Sequence, residues 1–558
     1  MSKNTLYPLL IIILLGAILR LWGLSSAELV FDEGAYAFRS IGYLDYLESH
    51  EQPTPVQWLR DGRLPAWLKL SFHDHPPLFF LIQHWFFALL GDSLTIARLP
   101  SALAGSIAIF LFFLIGRELF KKFNLGEKEI FKGVSASDFG GLLTAGLTAL
   151  SFSPLMISRL SMLESVAFLF ILLNIYLFLR LLINPKYWMA FGLTLGLAFL
   201  SKYVSFFLVL TYLTFLIFIK SPLLRSRYLY LAVLLAVLIF SPVIIYNILL
   251  YQNFGHFDLQ FATLFSQEVP YWQGSSGKTQ EPFSNILENL LILYSIPFLI
   301  LVVGGIILTI FGKKILPGNW LETRPSLLFM FLNLIFITVL LMVIGSAIRF
   351  SSLYIIPAAF FVALIFIMAL NRLPKIKTAI LIIFLIFLAQ ETVFALQPLF
   401  LNAPNYGVRE LDEYFDSVFG KARGPGLPAH PNPHLNRIIQ KYAAKREATL
   451  PPTGIIYDDN LETAPILWLF SRRQYYQGVP ITTASNFEAT LGDQGATFFK
   501  DLKLYFVKAG PGAPPRRGTR EPAPERLEMF LRESELEPEI IIKDFAGEIA
   551  FKIYQFSL

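Results

Sequence analysis

Apolar stretches of roughly 20 residues, the length that crosses a bilayer, follow one another through the first part of the chain with short polar breaks between them. The first runs from Tyr7 to Leu24, and others cover approximately 96–118, 139–157, 163–182, 187–201, 203–219, 228–250, 286–312, 326–347, 350–371 and 376–396. A shorter run at 76–91 starts with Pro76 and Pro77, residues suited to helix entry. After about Gln397 the pattern changes. Prolines, glycines and charges become frequent, and strand-like runs (Gly454–Tyr457, Lys503–Val507, Ile540–Lys543, Ile549–Phe556) alternate with helical stretches (Arg409–Phe419, His434–Arg446, Ala464–Ser471, Glu525–Ser534). The segment Ala509–Pro524, rich in Pro, Gly and Arg, reads as a surface loop. The pattern predicts an all-α polytopic membrane bundle over 1–396, with an outer loop at 25–95, followed by a soluble α/β domain over 397–558.

Composition agrees with the membrane reading: 55% of the 558 residues are apolar and 15% charged, and mean hydropathy is +0.57, more apolar surface than a water-soluble domain can hide. The first run is too long for a signal peptide and no small-residue cleavage site follows it, so it is expected to remain as a helix. Basic residues fix the orientation. If the amino terminus is cytoplasmic and 76–91 lies at the outer interface instead of spanning, the clusters Lys121–Lys132, Arg180/Lys186, Lys220–Arg227, Lys313–Arg324 and Arg372–Lys377 all fall inside, as the positive-inside rule requires. Eleven spans result, with the carboxyl-terminal domain outside a plasma (inner) membrane. The net charge of +6 is spread over short loops, a pattern of membrane orientation and not of nucleic-acid binding. With no cysteine in the chain, disulfides, thiolate nucleophiles and cysteine metal sites are excluded.

In this topology the sparse ionisable residues gather at one face: Asp32, Glu33, Asp74, His75, Arg98, Arg159, Glu164, Lys202, His256 and Arg349. Single Lys or Arg residues at helix ends often just snorkel to headgroups. A set that includes acids is better explained by a task, because ionisable groups at membrane depth are costly. Asp32 is the candidate general base with Glu33 beside it; alternatively, Asp32 is the N-cap of the following amphipathic stretch Gly34–Leu47. Asp74 and His75, with His73, are read either as part of the substrate site or as metal ligands, although neighbours on an extended segment point to opposite faces. No cofactor is expected to be required, and a divalent cation is the alternative. Arg349, in Arg349-Phe-Ser-Ser-Leu-Tyr354-Ile-Ile-Pro357, suits bidentate phosphate contact, with Lys202 and Arg159 as second choices; a topological anchor is the other reading of Arg349.

Several of these residues stand in a recognisable order. Asp32-Glu33 follows the first helix; then come His75-Pro-Pro-Leu, Gly91-Asp-Ser, Ala97-Arg-Leu-Pro-Ser-Ala-Leu-Ala-Gly105, Arg159 with Met162-Leu-Glu164, and Gly196-Leu-Ala-Phe-Leu-Ser-Lys202. Over about residues 5–370 the chain resembles the GT-C membrane glycosyltransferases, in the branch that includes protein O-mannosyltransferases and the aminoarabinose transferase of lipid A. It departs from that branch in having Glu164 where Asp is common, His75 where another basic residue is common, and Arg-Phe in place of Arg-Tyr at Arg349. The resemblance implies transfer of a sugar from a polyprenyl-phosphate donor to a lipid, glycan or protein acceptor on the outer face, with inversion at the anomeric carbon. It implies the first-loop aspartate, here Asp32, as the essential acid-base residue. Asp74, His75, Arg159, Glu164, Lys202, Arg349 and Tyr354 are the expected donor-phosphate and substrate contacts. A flippase for lipid-linked sugars, or a glycolipid-binding relative without catalysis, is the alternative.

Overall fold

The computed structural model describes residues 2–29, 32–42, 75–121, 129–267, 282–315, 320–345, 347–401, 405–419, 453–461, 468–470, 472–473, 479–491, 502–514 and 525–557. Helix α1 (Lys3–Leu21) leads into α2 (Glu33–Gly42), α3 (Leu78–Leu90) and α4 (Leu94–Lys121), then a small hairpin of β1 (Glu129–Phe131) and β2 (Val134–Ser135). The chain continues through α5 (Ala136–Leu150), α6 (Phe152–Arg159), α7 (Leu163–Leu181), α8 (Trp188–Ser201), α9 (Phe207–Phe218), α10 (Arg227–Phe254) and α11 (Leu259–Leu264). Next are α12 (Pro282–Leu293), α13 (Ile296–Ile315), α14 (Trp320–Ile344), α15 (Ile348–Ser351), α16 (Ile355–Arg372) and α17 (Lys377–Leu396). The remainder comprises α18 (Val408–Phe419), β3 (Thr453–Tyr457), β4 (Ile481–Thr483), α19 (Ala484–Leu491), β5 (Lys503–Ala509), α20 (Glu525–Glu533), β6 (Ile540–Lys543) and β7 (Ile549–Phe556). Packing divides the chain into two units, Met1–Leu24 with Asp45–Asn402 and Ser25–Leu44 with Ala403–Leu558.

The first unit is a multi-pass membrane bundle. Among the described residues seven helices are long and apolar enough to cross a bilayer, or up to nine if each of two bent pairs is one span. This is fewer than the eleven expected from the sequence. The difference lies in the two expected runs 187–201 and 203–219, on either side of Lys202, whose extended backbone (φ −165°, ψ 136°) ends α8. That leaves helices of 14 and 12 residues, about 21 and 18 Å long at 1.5 Å per residue, short of the roughly 30 Å hydrocarbon core. Two other expected runs bend inside: 139–157 turns by 55° between α5 and α6, and 286–312 by 117° between α12 and α13. The run at 76–91 is the helix α3, whose 13 residues are also too few for a span.

Small residues let these helices close on one another, the usual device where lipid removes the hydrophobic drive between helices. A Cβ on Gly192 would lie 2.4 Å from the Ala232 carbonyl oxygen, and one on Gly196 2.6 Å from Ile239 Cβ and 3.0 Å from the Ala236 oxygen, so α8 meets α10 backbone to backbone. Gly141 likewise faces the Phe113 carbonyl of α4 at 2.7 Å. Buried arginines fasten the helix ends. Arg20 donates to the Thr148 and Ala149 carbonyls at the end of α5, at 2.8 and 3.1 Å.

In the second unit a five-stranded mixed sheet has the order β4-β3-β5-β7-β6. β3 runs parallel to β4 and β5, while β7 runs antiparallel to β5 and β6. Alternation along β5 sends Leu504 and Phe506 to one face, with Leu527, Leu531 and Phe556, and Tyr505 and Val507 to the other, with Leu411, Phe415 and Phe419 of α18. Two acids of α18 meet two buried arginines: Arg472 lies 2.9 Å from Asp412, and Arg473 lies 2.7 Å from Asp416. The four strands read from sequence are present, as are α18 and α20, within a residue or two. β4, three residues long, was not foreseen. The expected helix His434–Arg446 lies outside the described residues, as do parts of Ala464–Ser471 and of the loop Ala509–Pro524. The outer-loop segment Ser25–Leu44, expected to go with the membrane domain, packs instead with the carboxyl-terminal unit.

Candidate active site

Asp32 stands at the start of α2, and its carbonyl accepts the Tyr36 N–H at 2.9 Å, the first bond of that helix. It therefore occupies the cap position that the sequence allowed. Its half-exposed side chain also receives the Tyr36 hydroxyl, at 3.5 Å on Oδ2. Glu33, in the first turn, is fully buried. Both carboxylates thus lie at the helix end where the backbone dipole favours negative charge.

In the membrane unit three of the expected residues converge. Glu164 lies in the first turn of α7, after an extended Met162 that ends the turn from α6. Lys202, set at the break after α8, places Nζ 2.6 Å from Glu164 Oε1 and 4.6 Å from the centre of the Phe350 ring. Arg349 lies on the single turn α15, which follows the end of α14 at Gly345, where φ is +103°. Its Nε lies 3.2 Å from the same Glu164 oxygen, and its Nη1 is 3.6 Å from Met162 Sδ. Among the described residues, two cations thus share one carboxylate. The Lys202 and Glu164 side chains are 7% and 4% exposed, Arg349 21%, so Arg349 is the member that solvent or a ligand reaches.

The other expected residues go elsewhere. Arg159 donates from Nη1 to the Leu19 and Trp22 carbonyls, both at 2.7 Å, and from Nη2 to Gly23 at 2.8 Å, with its guanidinium 4.3 Å from the Phe400 ring centre. It is bound to the end of α1, and is not part of the Glu164 centre in this structure. The Tyr354 hydroxyl pairs with Thr338 Oγ1 at 2.9 Å and ties α14 to the turn that follows α15. His75 is half-buried just before α3, and Asp74 and His73 lie outside the described residues. Among the described residues no cluster of three or more His, Asp or Glu forms a metal site.

Neutral polar residues that the sequence reading passed over support the centre. Gln83 of α3 donates to the Ala97 carbonyl and the Ser161 hydroxyl, each at 2.6 Å. Ser101 donates to the Met162 carbonyl at 3.3 Å, and Ser165 to the Ser101 carbonyl at 2.8 Å. Together they hold the turn that presents Glu164. Beyond Lys202, the Tyr203 hydroxyl reaches Asp258 Oδ2 at 3.0 Å, and Asp258 also receives Asn247 Nδ2 at 3.0 Å. The available signal was a polar residue isolated in an apolar helix, as Gln83 and Asn247 are.

A protein-family model described as dolichyl-phosphate-mannose-protein mannosyltransferase matches residues 74–124 and 133–246. That stretch includes His75, Arg159, Glu164 and Lys202. Among solved structures, ArnT from Cupriavidus metallidurans bound to undecaprenyl phosphate is 14% identical, with 100% of this chain and 98% of that chain covered and a TM-score of 0.51. Its apo form gives 15% identity, 99% and 98% coverage, and a TM-score of 0.50. The chain resembles the GT-C membrane glycosyltransferases. The GT-C-like likeness in fold extends over the carboxyl-terminal unit as well, since the aligned structure covers the whole chain. The S. cerevisiae Pmt1-Pmt2 complex bound to its sugar donor is 20% identical over 46% of this chain and 34% of that chain, at a TM-score of 0.30 too low to compare folds. Comparison with curated proteins gives no match.

Proposed function

We propose that this protein is a glycosyltransferase that moves a sugar from a polyprenyl-phosphate donor to an acceptor on the outer face of the plasma membrane. The observation that carries the reading is the convergence of Lys202 and Arg349 on Glu164, which brings together two cations of the kind that contact a lipid phosphate. The ArnT structure of similar fold holds undecaprenyl phosphate, a ligand of the same chemistry. Glu164, itself paired with Lys202, holds Arg349 through Nε, and the guanidinium is the group that would contact the donor phosphate. Asp32 takes the proton of an acceptor hydroxyl or amine as that atom attacks the anomeric carbon. The bond from that carbon to the phosphate oxygen breaks, and the phosphate leaves with its electron pair, stabilised by Arg349 without a general acid. A single displacement of this kind inverts the anomeric configuration. Glu33 supports Asp32 as its neighbour on the same helix end.

One observation favours a second reading, a lipid-linked sugar flippase. The 117° break between α12 and α13 is pinned by Glu391, a fully buried carboxyl on α17 that accepts the Ser295 hydroxyl, and broken helices with buried acids are a transporter device. The two readings part in one assay on the full chain in lipid, with radiolabelled polyprenyl-phosphate sugars and membrane acceptors. Transfer by wild type that is lost in Asp32→Asn, with donor binding retained, supports the enzyme. Full transfer by Asp32→Asn removes the proposed base, and donor translocation without any transfer supports the flippase.

A further inference from the structure

The segment that carries Asp32 is fastened to the carboxyl-terminal unit by a helix cap that comes from far away in sequence. Helix α18 begins after Gly407, whose carbonyl accepts the Leu411 N–H at 3.0 Å. The first N–H groups of a helix have no partner within it, and here a buried carboxylate supplies one. Glu28, 5% exposed, accepts the Val408 N–H, the Arg409 N–H at 3.1 Å and the Tyr406 N–H at 2.6 Å. Arg409 reciprocates, its guanidinium donating to the Ser26 carbonyl at 3.2 Å. The apolar face of α18, Val408, Leu411, Phe415 and Phe419, is buried in the core of the same unit, so the point of attachment is itself held by packing.

Three residues separate Glu28 from Asp32, a tether of at most about 14 Å between their Cα atoms when fully extended. We infer that Glu28 is a positioning residue for Asp32, and that the carboxyl-terminal unit sets the place of the proposed base by capping α18 with the first-loop segment. The inference rests on the reading of Asp32 given above. It makes the carboxyl-terminal unit a working part of the catalytic apparatus.

The test uses the full chain in lipid nanodiscs and compares Glu28→Ala, the milder Glu28→Gln and Asp32→Asn by two readouts. One is kcat and donor KM; the other is hydrogen–deuterium exchange of the amides of residues 33–42 and 406–411. Glu28→Ala is expected to raise exchange in both segments and to lower kcat by up to about 10²-fold, as small misplacements of a reacting group do, with donor KM nearly unchanged. Glu28→Gln, which keeps an acceptor oxygen, is expected to lie between. Should Glu28→Ala fail to fold, the same comparison is read from Glu28→Gln. Unchanged exchange at 33–42, or a loss of donor affinity in place of kcat, overturns the inference. Full activity of Asp32→Asn overturns the base instead, and exchange then reports on the fastening alone.

Discussion

Glu164 carries two cations at once, and this makes it a sensitive position of the membrane unit. Removing one member of a buried ion pair leaves the other charge uncompensated, at a cost of about 3–5 kcal/mol. Glu164→Ala is therefore expected to lower the thermal unfolding temperature in detergent sharply, and Glu164→Asp much less. Arg349→Lys keeps the charge but loses the planar fork, and a rise of about 10-fold in donor Kd, equivalent to about 1.4 kcal/mol, is expected by calorimetry with undecaprenyl phosphate. Glu164, Lys202 and Arg349 were legible in the sequence because charges in apolar surroundings stand out. The partner of each charge was not. Arg159 looks the same in sequence, yet it binds main-chain oxygens at the end of α1. Gln83 and Asn247 carry no charge and were passed over, though Gln83 braces the turn that presents Glu164 and Asn247 holds Asp258.

At the level of helices, close approach decides which positions tolerate change. Gly192→Ala would push a methyl group into the Ala232 backbone, whereas the nearest contact of a Cβ on Gly146 is a Leu388 methyl at 3.7 Å. Gly192→Ala is expected to cost about 1–3 kcal/mol through overpacking and Gly146→Ala to be neutral or stabilising, which thermal unfolding of the two variants in detergent will show. The apolar runs were readable because burial in lipid demands them, but counting runs overstated the spans: 187–201 and 203–219 form helices too short to cross a bilayer. The break at Lys202 is legible as the boundary between two runs, but those inside 139–157 and 286–312 were missed, although Pro154 and Pro297 lack the N–H that would bond the carbonyls of Leu150 and Leu293, where the preceding helices end. The second of these is also fixed by Glu391, which lies 96 residues from Ser295 in sequence. A contact at that distance leaves no local trace in the pattern.

For the whole molecule, the change of pattern near Gln397 marks where helices long enough to cross a bilayer give way to the small sheet, but the grouping of residues 25–44 with that sheet left no mark in the pattern, because it depends on Glu28 reaching across some 380 positions. Acid should act on the carboxyl-terminal unit through Asp412. Burial alone would raise its pKa, but Arg472 and Arg473 outweigh it and hold the carboxyl below its ordinary value. Its contribution to stability is thus present above an unfolded-state pKa of about 3.9 and is lost as pH falls through the lower folded value. Asp416, pushed up by burial and by Asp412, works in the opposite sense: its contribution is present at low pH and is lost as pH rises through its folded value. Asp412→Asn is therefore expected to flatten the acid limb of thermal unfolding of the full chain below about pH 4, read by circular dichroism. Near the membrane, Arg98 and Arg159 both donate to main-chain oxygens of residues 19–24 and to none of their side chains. Such recognition is indifferent to the identity of the residues it holds. The exposed members Leu21 and Trp22 are accordingly free to drift in sequence while the path of the chain stays fixed, whereas the buried Arg20 is held to its identity by its own bonds to the end of α5 and Gly23, at φ +57°, by its backbone.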